Sequence, residues 1–455
     1  MPYRDFRQFL DVLRQHGELV DIDRPVDLRD DVGKALKQTC VRQGPAFLFT
    51  QNGTEFPLAA GLYSTRSKAL LAFEATEETI FEKVQSGLDH PIPPSLVSAA
   101  LCQEVVLTGN DIDITRFPIP TYSPKDGGPY ITSGIFVSKD PEFGVADIGH
   151  YRAQILNKET FTFFAQPFHR FGKYLTKCQR LNIIPQGAIV IGVDPILAYT
   201  CQVQTTDETD DWYVAGGLRG AAVELVRCKT IDLEVPSTAE VVIEFEVDLK
   251  NNVSEGPLGE YTGYYTPASP KPVARITAIT HRRKPYFQAL LTGKPVTENH
   301  ILKAIPFEAS VCRTLKAQFP TIERVGIPPS GGVSFYVVIA MRPRFAGEAR
   351  QAILAAIASQ IRPKWVVVVD PDINVHNPAE VEWAMCFRVR PDRDVFVIDQ
   401  TPAGPLDPSV GDNVPLGART SAAVGVDATC PFGEPFAEAA DIPGWQDYIV
   451  PELDI

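Results

Sequence analysis

Between residues 111 and 300 the chain offers short runs rich in β-branched and aromatic residues, at 131–137, 150–156, 160–164, 188–193, 240–247 and 273–280, with turn signals between them. Strands so closely spaced, with so little helix between them, are expected to form an antiparallel sheet or barrel. Asn157-Lys-Glu and Arg282-Arg-Lys-Pro285 read as hairpin turns. The flanks have a different texture. Phe6, Phe9, Leu10 and Leu13 recur at the spacing of an amphipathic helix over 3–16, and 18–22 alternates as a strand. Helical stretches follow at 32–42 and 76–85, then a connector at 89–95 carrying three prolines. Toward the carboxyl end a strand at 334–340 precedes an Ala-rich helix at 347–361 and a continuous aliphatic strand at 365–369. A short helix at 380–385 and a strand at 395–398 complete a βαβ pattern with a parallel sheet.

The expected fold class is thus a mixed α+β and α/β multidomain chain. It divides into an N-terminal α/β domain at 1–110, a β-rich domain at 111–305 and a C-terminal α/β domain at 306–455. The last stretch, 436–455, carries Phe436, Ile442, Trp445 and Ile449 with no partner nearby in sequence. It reads either as an oligomerisation tail or as packing on its own domain.

Charge and cysteine usage exclude several functions. With 56 acidic against 43 basic residues, the net charge of −13 disfavours nucleic acid and anionic membrane as partners. An anionic ligand would need a local cluster of positive charge. The longest aliphatic runs are too short to span a bilayer, and no apolar signal segment follows the first basic residues. The eight cysteines are scattered and never form C-x-x-C, so free thiols and a cytoplasmic location are expected.

The candidate chemistry centres on Glu255-Gly-Pro-Leu-Gly-Glu260-Tyr-Thr-Gly-Tyr-Tyr. Its glycines and proline restrict the backbone between two carboxyl groups, which could converge on one cavity and divide acid and base roles. The same spacing also reads as a solvated turn. Asp147-Ile-Gly-His-Tyr-Arg152 puts an arginine at a strand's start, where it could orient a glutamate, attract a carboxylate or make a structural ion pair. Asp147, His169 and the acidic run from Asp207 to Asp211 could supply mixed oxygen and nitrogen ligands to Mn²⁺ or Mg²⁺. Gly216-Gly-Leu-Arg-Gly220 matches neither a Walker A loop nor G-x-G-x-x-G and reads as a tight turn into a strand. Lys364 could reach an anionic cofactor or remain in water.

Taken together, the Glu255–Tyr265 segment, Asp147-Ile-Gly-His-Tyr-Arg152, Ala215-Gly-Gly-Leu-Arg-Gly220 and Cys228-Lys-Thr-Ile-Asp-Leu-Glu-Val-Pro236 resemble, in order and spacing, the signature of the UbiD family of reversible (de)carboxylases. The resemblance implies a central split β-barrel, flavin reductase-like, that binds prenylated FMN supplied by a separate flavin prenyltransferase, and a homodimer or higher homo-oligomer. It implies a Glu255–Arg152–Glu260 triad in which Glu260 is the proton donor after CO₂ leaves and Arg152 and Glu255 orient it. It implies cofactor contacts from Arg152, Gln154, His169 and Lys364. A divalent metal, usually Mn²⁺, with K⁺ beside it, would be held by Asp147, His169 and Asp211. Asp147 stands where Asn is usual, and Asp211 where Glu is usual, so Asp210 or Glu208 is an alternative ligand.

By the same resemblance Tyr261, His300, Ile301, Ile305 and Leu406, in the loop 405–408, line the substrate pocket. Apart from His300 this lining is apolar or aromatic, which suits an indole, pyrrole, furan or phenolic monocarboxylate. No arginine is evident there to clamp a second carboxylate, although Lys303 is close in sequence, so a monocarboxylate is the expectation and a furan dicarboxylate the alternative. The alternatives are a flavin-dependent oxidoreductase on a similar barrel, for which no Rossmann fingerprint is present, and a non-catalytic subunit of a multi-component carboxylase.

Overall fold

The computed structural model of the protein describes residues 2–404, 406–411, 414–440 and 442. At its centre is a nine-stranded sheet whose main path runs Tyr130–Ile131, Ala153–Ile155, Thr160–Phe163, Ser269–His281, Val241–Glu255, Gln186–Ile191, Ile135–Lys139 and Ala146–His150. Val105–Thr108 pairs with Ser269–His281 off that path. Every pairing in this sheet is antiparallel, and the sheet curls into a half-barrel. Curling puts one face inside. There Phe136 meets Phe161, Phe163, Phe171 and Phe245 with ring centroids 5.6–6.4 Å apart.

The two longest strands, Val241–Glu255 and Ser269–His281, matter most for the site. Their register shifts between Glu244 and Phe245 and again between Asp248 and Asn252. Such bulges bend a strand and re-aim its end. The far end of this pair carries Glu255 and opens into a loop, where Leu258–Gly259 pairs with Tyr265–Thr266.

The expected N-terminal helix is Phe6–Gln15. Asp5 caps it by accepting the Gln8 amide at 3.0 Å, and Phe6, Phe9, Leu10 and Leu13 are buried on one face. It packs beside a four-stranded sheet ordered Leu19–Ile22, Ala46–Phe49, Leu58–Ala60, Phe287–Ala289. The last of these strands corrects the hairpin expected at 282–285. The chain leaves the central sheet there because Arg282 turns inward, donating to Asp5 at 3.1 Å and to the Thr238 carbonyl at 2.6 Å.

The C-terminal sheet is ordered Ile322–Gly326, Tyr336–Met341, Trp365–Val369, Thr420–Ala428, Val395–Pro402. Its three inner strands are parallel, as expected, and both edge strands are antiparallel. Among the elements that escaped the sequence pattern are two in this region. Thr420–Ala428 has little apolar alternation, and the Glu298–Lys316 helix contains Pro306. Of the tail residues, Phe436 and Ile442 are exposed, whereas Trp445 and Ile449 lie outside the described residues. No helix among the described residues is long and apolar enough to cross a membrane.

The segment Gly216-Gly-Leu-Arg-Gly220, expected as a turn, is instead the second half of the Asp211–Arg219 helix, closed by Gly220 at φ +75°. Its glycines serve packing. A Cβ on Gly217 would lie 2.2 Å from the Gly87 carbonyl oxygen, so the Ile80–Asp89 helix can approach only a bare backbone. Gly217→Ala is therefore expected to destabilise the protein by about 1–3 kcal/mol in denaturant titration, against less than about 0.5 kcal/mol for an exposed control.

Candidate active site

Arg152 precedes the strand Ala153–Ile155, and its guanidinium is buried between two carboxylates. Nε donates to Glu255 Oε1 and Nη2 to Glu255 Oε2, each at 2.9 Å, a two-point fork that fixes both groups. The third nitrogen, Nη1, donates to Glu260 Oε1. The Phe164 ring lies 4.9 Å from the guanidinium centre. Burial opposes the charge on Arg152, but Glu260 and Glu255 outweigh it and hold the side chain more firmly protonated than an ordinary arginine.

The two glutamates are not equivalent. The Glu255 side chain is 0% exposed, and both its oxygens are committed to Arg152. The Tyr130 hydroxyl lies within hydrogen-bond reach of Glu255 Oε1 (3.1 Å) and Gln154 Oε1 (3.0 Å), while Gln154 Oε1 also accepts the Gly256 amide at 2.9 Å. Burial, and then the Glu255 charge, push the Tyr130 hydroxyl up, so it stays a protonated donor. Glu260 is 12% exposed and gives Arg152 one oxygen; among the described residues the other accepts only the neighbouring Tyr261 amide, at 3.2 Å. Glu260 is the carboxylate that can turn toward a ligand.

Its backbone, by contrast, is pinned. Gly256 turns the chain at φ +96°, a conformation that favours glycine. Asp126 accepts the Gly259 amide at 3.0 Å and the Ser123 amide at 2.8 Å, and Gly127 donates to the Pro257 carbonyl at 2.8 Å. On the other side His300 bridges Thr297 and Tyr261. Its Nδ1 accepts the Thr297 amide at 3.0 Å, which leaves the proton on Nε2 to donate to the Tyr261 carbonyl at 2.7 Å. Burial keeps the imidazole neutral, with a pKa of about 4. Both His300 nitrogens are thus engaged by protein, as a cap and a brace for Tyr261. The Tyr261 ring is near-parallel to Phe335, with centroids 6.4 Å apart.

Asp147 and Asp211 come together around Arg170. Arg170 Nη1 donates to Asp211 Oδ1 at 2.7 Å, and its Nε lies 3.5 Å from Asp147 Oδ1. Asp211 is otherwise saturated by Thr205 and the Ile148 amide, whereas Asp147 Oδ2 is buried with no partner among the described residues. Burial, and next the Asp211 charge, push the Asp147 carboxyl up. Asp210 accepts the Ala146 and Trp212 amides, and His169 is exposed at the start of the Arg170–Leu181 helix. Among the described residues no three acidic, histidine or cysteine side chains gather at metal-ligating distance.

The remaining candidates are dispersed around this centre. Ile305 is buried in the core beside Leu302 and Tyr199, Ile301 packs against that core, and Leu406 is half-buried. Lys364 donates to Ser409 Oγ at 2.8 Å and to Asp407 Oδ1 at 3.2 Å. Sequence reasoning missed Tyr130, Asp126, Phe164 and Arg170, which have no motif of their own. Arg170 alone left a signal, being adjacent to His169.

Three family profiles match the chain: the N-terminal domain (residues 10–88), the Rift-related domain (95–295) and the C-terminal domain (300–428) of 3-octaprenyl-4-hydroxybenzoate carboxy-lyase, UbiD. An uncharacterized protein of Synechocystis is 30% identical over 454 residues, covering 94% of this chain and 89% of that protein. The UbiD-class enzyme HmfF of Pelotomaculum thermopropionicum, in complex with FMN, superposes with a TM-score of 0.91 at 33% identity, over 98% of this chain and 99% of its own. An evolved dimeric form of HmfF in complex with prFMN gives 0.88 at 32% identity, over 98% and 99%. The vanillic acid decarboxylase of Sedimentibacter hydroxybenzoicus gives 0.87 at 27% identity, over 98% of each chain.

The Arg152–Glu255 pair generates its own test. Arg152→Met strands a buried carboxylate and is expected to lower unfolding stability by about 3–5 kcal/mol, most of it recovered in Arg152→Met/Glu255→Gln. A loss below about 1 kcal/mol in the single variant would contradict the pairing.

Proposed function

The chain belongs to the UbiD family of carboxy-lyases, and on that premise we propose that it reversibly decarboxylates a (hetero)aromatic acid with prenylated FMN, Glu260 being the proton donor. The observation that carries this reading is the asymmetry around Arg152. One glutamate is sealed against it on both oxygens, and the other is held by one nitrogen at the edge of solvent. Relatives in complex with FMN and prFMN, and one acting on vanillic acid, support the cofactor and the substrate class.

The chain's residues divide the work. Arg152 keeps Glu260 at a fixed distance through its third nitrogen. Glu255 neutralises Arg152 and locks its rotamer, and Tyr130 steadies Glu255. Glu260 delivers a proton to the carbon that has lost CO₂, a step in which a positioned acid contributes about 10²–10⁴-fold. Tyr261, its backbone held by His300, and half-buried Leu406 offer aromatic and apolar surface to a planar acid.

The donor set fits the flavin. Gln166 Oε1 is a buried acceptor without a partner among the described residues, suited to a ring N–H. Arg362, 5.7 Å over the Phe168 ring, brings positive charge for a phosphate to an otherwise acidic protein, and Lys364 would join it by exchanging its ion pair with Asp407 for the phosphate. When bound, prenylated FMN supplies the electron sink for decarboxylation. The donor set does not fit a three-ligand Mn²⁺ site, because Arg170 already occupies the Asp147–Asp211 pair. The curled central sheet supports a cofactor domain of flavin reductase-like split-barrel type over 111–305, between the flanking regions 1–110 and 306–455. A cytoplasmic homo-oligomer supplied by a flavin prenyltransferase completes the reading.

The test is to co-express the chain with a flavin prenyltransferase and screen aromatic acids for CO₂ release. Glu260→Gln is expected to keep the cofactor's absorption spectrum and lose about 10²–10⁴-fold in CO₂ release. Release at the parent rate would remove Glu260 from the role of acid.

A further inference from the structure

Arg170 opens the Arg170–Leu181 helix and aims all five of its N–H groups at protein oxygens. Nη1 donates to Asp211 Oδ1 and to Thr205 Oγ1, each at 2.7 Å. Nη2 donates to the carbonyls of Thr209, at 2.8 Å, and Ala146, at 3.3 Å, and Nε faces Asp147 Oδ1 at 3.5 Å. The guanidinium thus ties the Ala146–His150 strand to the start of the Asp211–Arg219 helix. It is a fixed positive charge between two buried carboxylates, which is the task a divalent ion would have there.

The neighbouring acids are already engaged. Asp211 Oδ2 accepts the Ile148 amide at 3.0 Å. Asp210 accepts the Ala146 and Trp212 amides on its two oxygens, Asp207 holds the Lys173 ammonium with both of its own, and Glu208 is exposed. The side chains that bear electrostatically on His169 are Lys303 and Arg362, cations rather than either acid. That leaves Asp147 Oδ2, buried and without a partner among the described residues. A hard divalent ion needs several ligands at once, so this oxygen alone cannot hold it. To gather more ligands the ion would have to break the bonds of Arg170 and sit beside its charge. We propose that Arg170 replaces the divalent metal in this chain, which binds its flavin phosphate through Arg362 and Lys364 without Mn²⁺. The proposal rests on the flavin-dependent reading of the site and changes which cation completes it.

Metal and flavin titrations test the two readings separately. Mn²⁺ is titrated into the purified protein and followed by the electron paramagnetic resonance signal of the free ion. FMN, the probe for the flavin, is titrated by fluorescence once in EDTA and once in MnCl₂. The parent is expected to leave the Mn²⁺ signal undiminished up to about 1 mM ion, and to bind FMN with dissociation constants that agree within about twofold in the two buffers. Arg170→Met, its fold checked by circular dichroism, should take up Mn²⁺ between the freed carboxylates. Stoichiometric uptake of Mn²⁺ by the parent overturns the proposal, as does a parent FMN affinity that falls about tenfold or more in EDTA. A folded Arg170→Met protein that takes up no Mn²⁺ also overturns it, and if that variant does not fold the parent titrations decide alone. Failure of FMN to bind in either buffer would sink the flavin reading, while the Mn²⁺ titration still decides the role of Arg170.

Discussion

The Arg152 guanidinium between Glu255 and Glu260 is the constraint around which the centre of the molecule is arranged. A buried carboxylate such as Glu255 is tolerable only with its charge matched and its lone pairs filled, and Arg152 does both with two parallel bonds. That match requires the end of the Val241–Glu255 strand to lie against the start of the Ala153–Ile155 strand. The bulges in the long strand pair bend it and re-aim that end. Once Glu255 is fixed, the third nitrogen of Arg152 is free for Glu260, and the loop between the glutamates needs only to be the right length. Asp126 and His300 hold that loop from its two sides.

The site therefore joins parts of the chain far apart in sequence. Glu298 shows how tightly the helix behind the site is tied in. It is fully buried and accepts the amides of Tyr63 at 3.2 Å and Leu291 at 2.9 Å, fastening the Glu298–Lys316 helix to the N-terminal region. Burial pushes its carboxyl up to about 7, so its share of stability is present at low pH and declines as pH rises from about 4.5 through about 7. From the same helix His300 and Lys303 reach Tyr261, and Tyr261 in turn lies against Phe335.

Much of the secondary structure was legible because it is written in local periodicity. Phe6, Phe9, Leu10 and Leu13 announce a helix face, and the run from Val366 to Val369 can only be a strand buried on both sides. What was not legible depends on distant partners. Gly216 and Gly217 look like turn residues until the carbonyls of Ile92 and Gly87 are seen against them. Arg282 looks like a hairpin residue until Asp5 draws it inward. At the site, Arg152, Glu255 and Glu260 could be picked out by motif, but Tyr130 and Asp126 act only through contacts that folding creates. Asp147 and Asp211 were noticed as acids, yet the arginine between them was not.

The central claim is that Glu260, poised by Arg152, exchanges a proton with the carbon that carried the carboxylate. The most direct measurement is deuterium uptake from D₂O into the decarboxylated product, incubated with cofactor-loaded protein without CO₂ and followed by proton NMR. The account predicts loss of the signal at that one carbon with the parent protein and its persistence with Glu260→Gln. Uptake by Glu260→Gln at the parent rate would contradict it.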